Sequence, residues 1–140
     1  MNNLSKFISV AHRRTQIFYK ENLEKLELKS GQFIYIVCIC ETPGQTQDEL
    51  SNKLIIDKST VTKFLGQLEA EGYITKKINS FDRRAFNVFP TEKAIKIYPK
   101  IIEIQDRWHN FLLEGFSKIE SDVFEKLMEL VMENSITNSK

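Results

Sequence analysis

The stretch that most constrains this 140-residue chain is Thr46 to Phe89, where helix, turn and strand signals follow one another with little chain to spare. Thr46-Gln47-Asp48-Glu49 has the form of a capping box, a hydroxyl for the third helical amide and a carboxylate reaching back. It opens a short helix from Gln47 to about Leu54. Ile55-Ile56 leads to Asp57, a good N-cap, after which Val61, Phe64, Leu65 and Leu68 fall at i, i+3, i+4 and i+7. Gly72 stands where a helix ends in a left-handed residue. Tyr73 to Ile78 then reads as a strand and Ala85 to Phe89 as a second, with the polar, charged Asn79 to Arg84 as the hairpin tip between them. Two short helices followed by a two-stranded ribbon predict a winged helix-turn-helix, whose second helix enters the major groove of DNA.

The flanks read as helix. Leu4, Phe7, Ile8, Ala11, Thr15 and Phe18 form one stripe, which Leu23 and Leu26 extend until Ser30-Gly31 interrupts it. Phe33 to Cys40 is nearly all apolar and β-branched; periodicity alone does not separate strand from buried helix there, and the surroundings favour helix. Thr91-Glu92 opens a helix whose apolar positions Ala94, Tyr98, Ile101, Ile102, Trp108 and Leu112 span about five turns. Pro99 inside it predicts a kink or break near Tyr98. Ser117-Lys118-Ile119-Glu120 is a second capping box, opening a last helix through Val123, Phe124, Leu127, Met128 and Val131, with fraying expected after Asn134.

The expected fold class is therefore mainly α with a small two- or three-stranded β-wing. A winged helix-turn-helix covers 31–90, and a discontinuous helical dimerisation region covers 1–30 and 91–140. The apolar stripes of the first and last helices exceed what one small domain must bury, which suggests a dimer interface; packing within the monomer is the other use.

Composition narrows the function classes. With 41% hydrophobic and 28% charged residues the chain is an ordinary globular one, and no apolar run approaches the roughly 20 residues that cross a bilayer. Met1-Asn2-Asn3 leads into the first helix without a signal-peptide pattern, so a cytoplasmic location and no membrane partner are expected. Cys38 and Cys40 lie too close in sequence to pair in a disulfide. His12 and His109 are isolated, and no HExxH, GxSxG or P-loop spacing occurs, so no catalytic residues, metal or cofactor are expected. The net charge of +1 conceals an uneven distribution. Lys53 to Arg84 carries seven Lys or Arg against four acids, whereas Glu114 to Glu133 carries six acids against Lys118 and Lys126. A polyanion would meet the middle of the chain.

The segment ELSNKLIIDKSTVTKFLGQLEAEGYITKKINSFDRRAFNVFPT resembles the DNA-binding region of the MarR family of bacterial regulators. The resemblance rests on Ser59-Thr60-Val61-Thr62-Lys63 at the start of the recognition helix, on Leu68-Glu69-x-x-Gly72-Tyr73-Ile74 at its exit, and on Asp82-x-Arg84 at the wing tip. Where the family usually continues Leu-Thr-x-x-Gly, this chain has Phe89-Pro90-Thr91-Glu92-Lys93-Ala94. The resemblance implies a homodimer with interdigitating first and last helices. In many members a small aromatic ligand between the lobes, or an oxidant, releases DNA.

Small polar and basic side chains at a major-groove helix start reach phosphates and base edges, which selects Lys58, Ser59, Thr60, Thr62 and Lys63. The same residues suit a solvated, capped helix start; the wing decides for DNA. Arg84 at the hairpin tip can enter a narrow minor groove with Asp82 orienting it, although Asp-x-Arg also occurs as a plain surface ion pair. Arg83, Lys76 and Lys77 are placed at phosphates, with a solvated strand face as their other use. Together these describe a double-stranded-DNA-binding regulator, most simply a repressor, on a pseudopalindromic operator. The alternative is an oxidant-sensing regulator of the same fold using Cys38 or Cys40, although a greasy run without a basic neighbour suits an inert core thiol. Phe7, Phe18, Phe33 and Trp108 are the aromatic residues available to a ligand crevice, and apolar helix faces are more usually core.

Overall fold

The structure, a computed structural model, describes residues 2–139. In chain order it contains α1 (Leu4–Glu24), α2 (Phe33–Glu41), β1 (Gln45–Thr46), α3 (Gln47–Leu54), α4 (Lys58–Ala70), β2 (Ile74–Ile78), β3 (Phe86–Pro90), α5 (Glu92–Leu112) and α6 (Lys118–Asn138). Two compact units are present, one up to Gln105 and one from Asp106, with α5 running through the boundary. No helix among the described residues is long and apolar enough to cross a membrane.

The core of the first unit forms around α2 and α4. Phe33 to Glu41 is helical, as its surroundings suggested, and buries Tyr35, Ile36, Cys38 and Ile39. In α4 the buried residues are Val61, Leu65 and Leu68, one stripe at helical spacing, while half-buried Phe64 stacks on Tyr35 at 5.1 Å between centroids. Gly31, at φ +87°, makes room for this stack: a Cβ there would lie 3.1 Å from the tip of the Phe64 ring. Asp57 caps α4, and Gly72 ends it with a paired motif, Gly72 N–H donating to Glu69 O and Tyr73 N–H to Leu68 O.

The sheet is antiparallel in the order β1-β3-β2. Its third strand, β1, lies where the sequence showed only a turn and a helix cap, because two residues carry no alternation to read. Gln45 pairs with Val88 and Thr46 with Asn87. The second wing strand begins one residue later than expected and ends at Pro90, opposite Ile74. β1 stops at Val88, so Pro90 lacks a partner strand on that side and its missing N–H breaks no bond there.

Two helical expectations, a break in α5 and fraying in α6, are corrected. α5 continues through Pro99 without a break near Tyr98. Pro99 and Ile95, whose carbonyl it leaves free, are both exposed, so water can serve that carbonyl. α6 is helical through Asn138 and does not fray after Asn134, whose carbonyl accepts from the Asn138 side chain at 2.8 Å. Its start is the expected reciprocal capping box of Ser117 and Glu120.

One buried group stands out. The Tyr35 hydroxyl has no hydrogen-bond partner among the described residues. Burial, and then the charge of Asp57, push its pKa up, so it remains a protonated donor. An unpaired buried hydroxyl costs about 1–3 kcal/mol. Tyr35→Phe is therefore expected to raise the unfolding free energy by about 1 kcal/mol in urea titration; a loss of that size would show the hydroxyl to be bonded.

Candidate nucleic-acid interface

The inward stripe of α4 dictates what faces out. Ser59, Thr62, Lys63, Gly66 and Ala70 are exposed on the opposite side of the helix. Lys58 is also exposed, whereas Thr60 is half-buried. Asp57 organises the first turn by accepting from the Ser59 hydroxyl, the Thr60 hydroxyl at 2.6 Å and the Thr60 amide at 3.1 Å. Thr62 donates to Lys58 O at 2.8 Å and accepts from the Gln47 side chain at 3.2 Å. With their protons engaged, these hydroxyls present lone pairs outward and can accept from base amino groups, while the lysines supply donors and charge.

The first turn of α3 lies between α4 and the wing. Asp48 pairs with Lys58 at 3.3 Å, and Gln47 bonds to Thr62. On the other side Thr46, Gln47 and Asp48 line a cleft of ≈ 510 Å³ with Asn79, Asp82, Arg84 and Ala85 of the wing. Thr46 caps this turn, its hydroxyl accepting from Glu49 N at 3.2 Å. Sequence reasoning treated Thr46, Gln47 and Asp48 only as a helix start. The signal available was that a capped helix N-terminus points its free amides at whatever lies beyond it.

At the wing tip, the Arg84 side chain is 94% exposed with Nε 3.5 Å from Asp82 Oδ1, and that same oxygen accepts from Arg84 N–H at 3.0 Å. Asp82 thus holds Arg84 through backbone and side chain together. Arg83 is exposed and, like Lys63, has no acidic partner within 4 Å among the described residues. Lys77 lies over the Phe89 ring at 4.9 Å. Lys76 is drawn inward, its side chain 19% exposed and 3.7 Å from Glu69 of α4. Exposed ion pairs contribute only about 0–1 kcal/mol, so Lys58 and Arg84 can exchange their acidic partners for phosphate at little cost.

The cysteines are of another kind. Cys38 is buried, and Cys40 is half-buried with its pKa raised by burial and then by Glu41. A responsive thiol needs a lowered pKa, so the oxidant-sensing alternative finds no support. Phe18 meets Tyr19 edge-on at 5.9 Å and Phe33 stacks on Tyr19 at 4.7 Å, which places two of the four aromatic ligand candidates in one packed cluster. Among the described residues no three His, Cys, Asp or Glu group as metal ligands.

A three-stranded wing beside a capped helix-turn-helix, with basic side chains on the outward faces of both, defines a winged helix-turn-helix regulator of the DNA-binding class. The sequence pattern of the MarR family matches residues 28–86. A MarR protein from Peptoclostridium difficile is 34% identical with a TM-score of 0.89, over 95% of this chain and 87% of that one. A MarR family transcriptional regulator from Listeria monocytogenes, solved in complex with a 26mer DNA, is 33% identical with a TM-score of 0.90, over 96% and 90% of the two chains. The HTH-type transcriptional regulator YybA of Bacillus subtilis is 28% identical over 134 residues, 96% of this chain and 89% of that protein. The chain belongs to the MarR family of transcriptional regulators.

The cap at Asp57 has a pH signature. The Ser59 hydroxyl, then the Thr60 hydroxyl and amide, hold its carboxyl down from the ordinary 3.8 to about 2. A folded pKa below the unfolded one contributes stability that is present above the unfolded value and lost as pH falls through the folded one. Between about pH 4 and about pH 2 the protein should therefore lose stability more steeply than Asp57→Asn, which keeps an acceptor oxygen but does not titrate. Parallel thermal-midpoint curves for the two proteins would contradict this role.

Proposed function

We propose that this regulator is a repressor that binds a pseudopalindromic operator as a homodimer in the cytoplasm. The observation that carries the DNA reading is the flanking of one helix N-terminus, that of α3, by the basic start of α4 and by Arg84 of the wing. In this reading Ser59, Thr62 and Lys63 meet base edges in the major groove. Lys58, Lys77 and Arg83 meet phosphates, and Arg84, oriented by Asp82, enters the minor groove. Thr60 and Lys76 contribute through their neighbours, Thr60 by completing the Asp57 cap and Lys76 by steadying Glu69. Nothing in these roles calls for catalysis.

The homodimer is supported by α6, which has no buried residue over 21 positions although it carries Ile119, Val123, Leu127, Leu130 and Val131, with Ile119 76% exposed. α1 likewise exposes Leu4, Phe7, Ile8 and Ile17. An apolar face left uncovered along a helix marks an association face, and a second copy supplies a matching one by symmetry. Two-fold symmetry sets half-sites about 10 base pairs apart. Release by a small aromatic ligand enters the proposal from the family resemblance alone.

The direct test is fluorescence anisotropy with the DNA upstream of the protein's own coding region, against a scrambled duplex, at several salt concentrations. Salt-sensitive binding of two protomers per duplex, with preference over the scramble, is expected. Equal weak binding to both duplexes would count against a local operator. Arg84→Ala should weaken binding chiefly at A·T-rich flanks, whereas Lys77→Ala should lower affinity evenly and reduce the salt slope by about one. Equal, sequence-independent losses would remove Arg84 from the minor groove.

Gly66 offers a check of the major-groove face. A Cβ there would meet nothing within 4 Å, so the fold does not need a glycine in this exposed helix interior, where it costs about 1 kcal/mol relative to Ala. Gly66→Ala is expected to stabilise the protein by about 0.5–1 kcal/mol while weakening operator binding. Unchanged binding would show that α4 does not approach DNA closely at that turn.

A further inference from the structure

Phe81, at the tip of the wing, is 98% exposed, more than any other large apolar side chain described. Single exposed apolar residues are ordinary. Three features distinguish this one.

The first is that the tip is held still. The Asn79 side-chain oxygen accepts from Phe81 N–H at 2.8 Å and from Asp82 N–H at 3.0 Å. The Asn79 amide donates to the Asn87 side chain at 2.9 Å, and Asn87 donates to Gly44 O at 2.7 Å. A line of amides thus ties the tip, through β3, to the turn before β1. Asn79 N–H to Ala85 O and Ala85 N–H to Asp82 O, each 3.0 Å, close the loop behind it. The second feature is that the ring does nothing for the fold, having no aromatic or cationic partner among the described residues. The third is its company, since Arg83 and Arg84 follow within three residues and are exposed.

An apolar ring carried on a hydrogen-bonded tip, two and three residues before a pair of exposed arginines, matches one kind of surface closely. The walls of the DNA minor groove are apolar deoxyribose faces edged by phosphates, so the arginines meet charge where the ring meets sugar. We propose that Phe81 packs its ring against the deoxyribose walls of the minor groove beside Arg84, adding an apolar contact to wing binding. This rests on the reading of the wing as a DNA-contacting element. Because the backbone of the tip is already hydrogen-bonded, docking costs little backbone entropy beyond the fixing of the ring itself. The contact releases no counterion, so it contributes affinity that salt does not screen.

The test uses the full-length protein and a duplex that the wild-type protein selects from a random-sequence pool. Phe81→Ala should bind about tenfold more weakly at every salt concentration with an unchanged salt slope, whereas Arg84→Ala should lower the slope. Phe81→Leu, which keeps an apolar group, should recover part of the loss. Hydroxyl-radical footprints should lose protection of the deoxyriboses at the outer minor-groove segments in Phe81→Ala and keep it at the centre. The thermal midpoint of Phe81→Ala should match wild type, which separates a contact effect from unfolding. Wild-type affinity in Phe81→Ala, or a footprint unchanged at the flanks, would overturn the proposal while leaving the DNA-binding reading intact. Failure of the wild-type protein to select any duplex would overturn both.

Discussion

The rotation of α4 about its own axis is set by the burial of Val61, Leu65 and Leu68, and the DNA-binding region is arranged around that choice. Once these side chains enter the core and Phe64 stacks on Tyr35 of α2, Ser59, Lys63 and Gly66 have no alternative to solvent. Burying three such side chains yields several kcal/mol, about 1.5–3 each, far more than any polar contact on the exposed side. The outward face is therefore free to vary in chemistry without disturbing the fold. A core of this kind presents a recognition surface while taking no part in recognition.

The wing is controlled differently, by hydrogen bonds. Its two long strands carry few buried residues, Ile74 on one and Val88 on the other, too little apolar area to hold a ribbon alone. β1 supplies a third strand, and Asn87 bonds to Gly44 and Asn79 along the same line. Thr91 then fixes the exit, donating from its hydroxyl to Gly72 O at 2.6 Å and from its amide to Tyr73 O at 3.0 Å. A wing so tethered carries the exposed groups at its tip, Phe81 and Arg84, on a backbone with little freedom left to lose.

The same economy governs the charges. Asp48 with Lys58, Asp82 with Arg84 and Glu69 with Lys76 each place an acid beside a cation that would otherwise meet its neighbours unscreened. The first two pairs are solvent-facing and weak, so they orient Lys58 and Arg84 at little cost to any exchange of partner, whereas Lys76, only 19% exposed, stays turned toward Glu69. The acidic run of α6 lies outside this basic surface in sequence, which accounts for a net charge of only +1 in a chain whose middle is basic.

The fold was legible in the sequence wherever a signal repeated over several residues. The stripes of α1, α4 and α5, the cap at Asp57, the stop at Gly72 and the box at Ser117 all act through neighbours within a turn, so the chain alone determined them. What it could not carry was any contact whose partner is distant along the chain. β1 exists only because Val88 and Asn87 lie beside Gln45 and Thr46. The continuity of α5 through Pro99 depended on that residue facing water. The different fates of Lys76 and Lys77, adjacent and chemically identical, were decided by strand alternation, which turns one toward Glu69 and the other over Phe89. Residue type and local spacing therefore determined the helices and the two long strands, and which side chains are suited to DNA. The tertiary structure decided which of those side chains are free to reach it, because burial and pairing are properties of neighbours brought together only by folding.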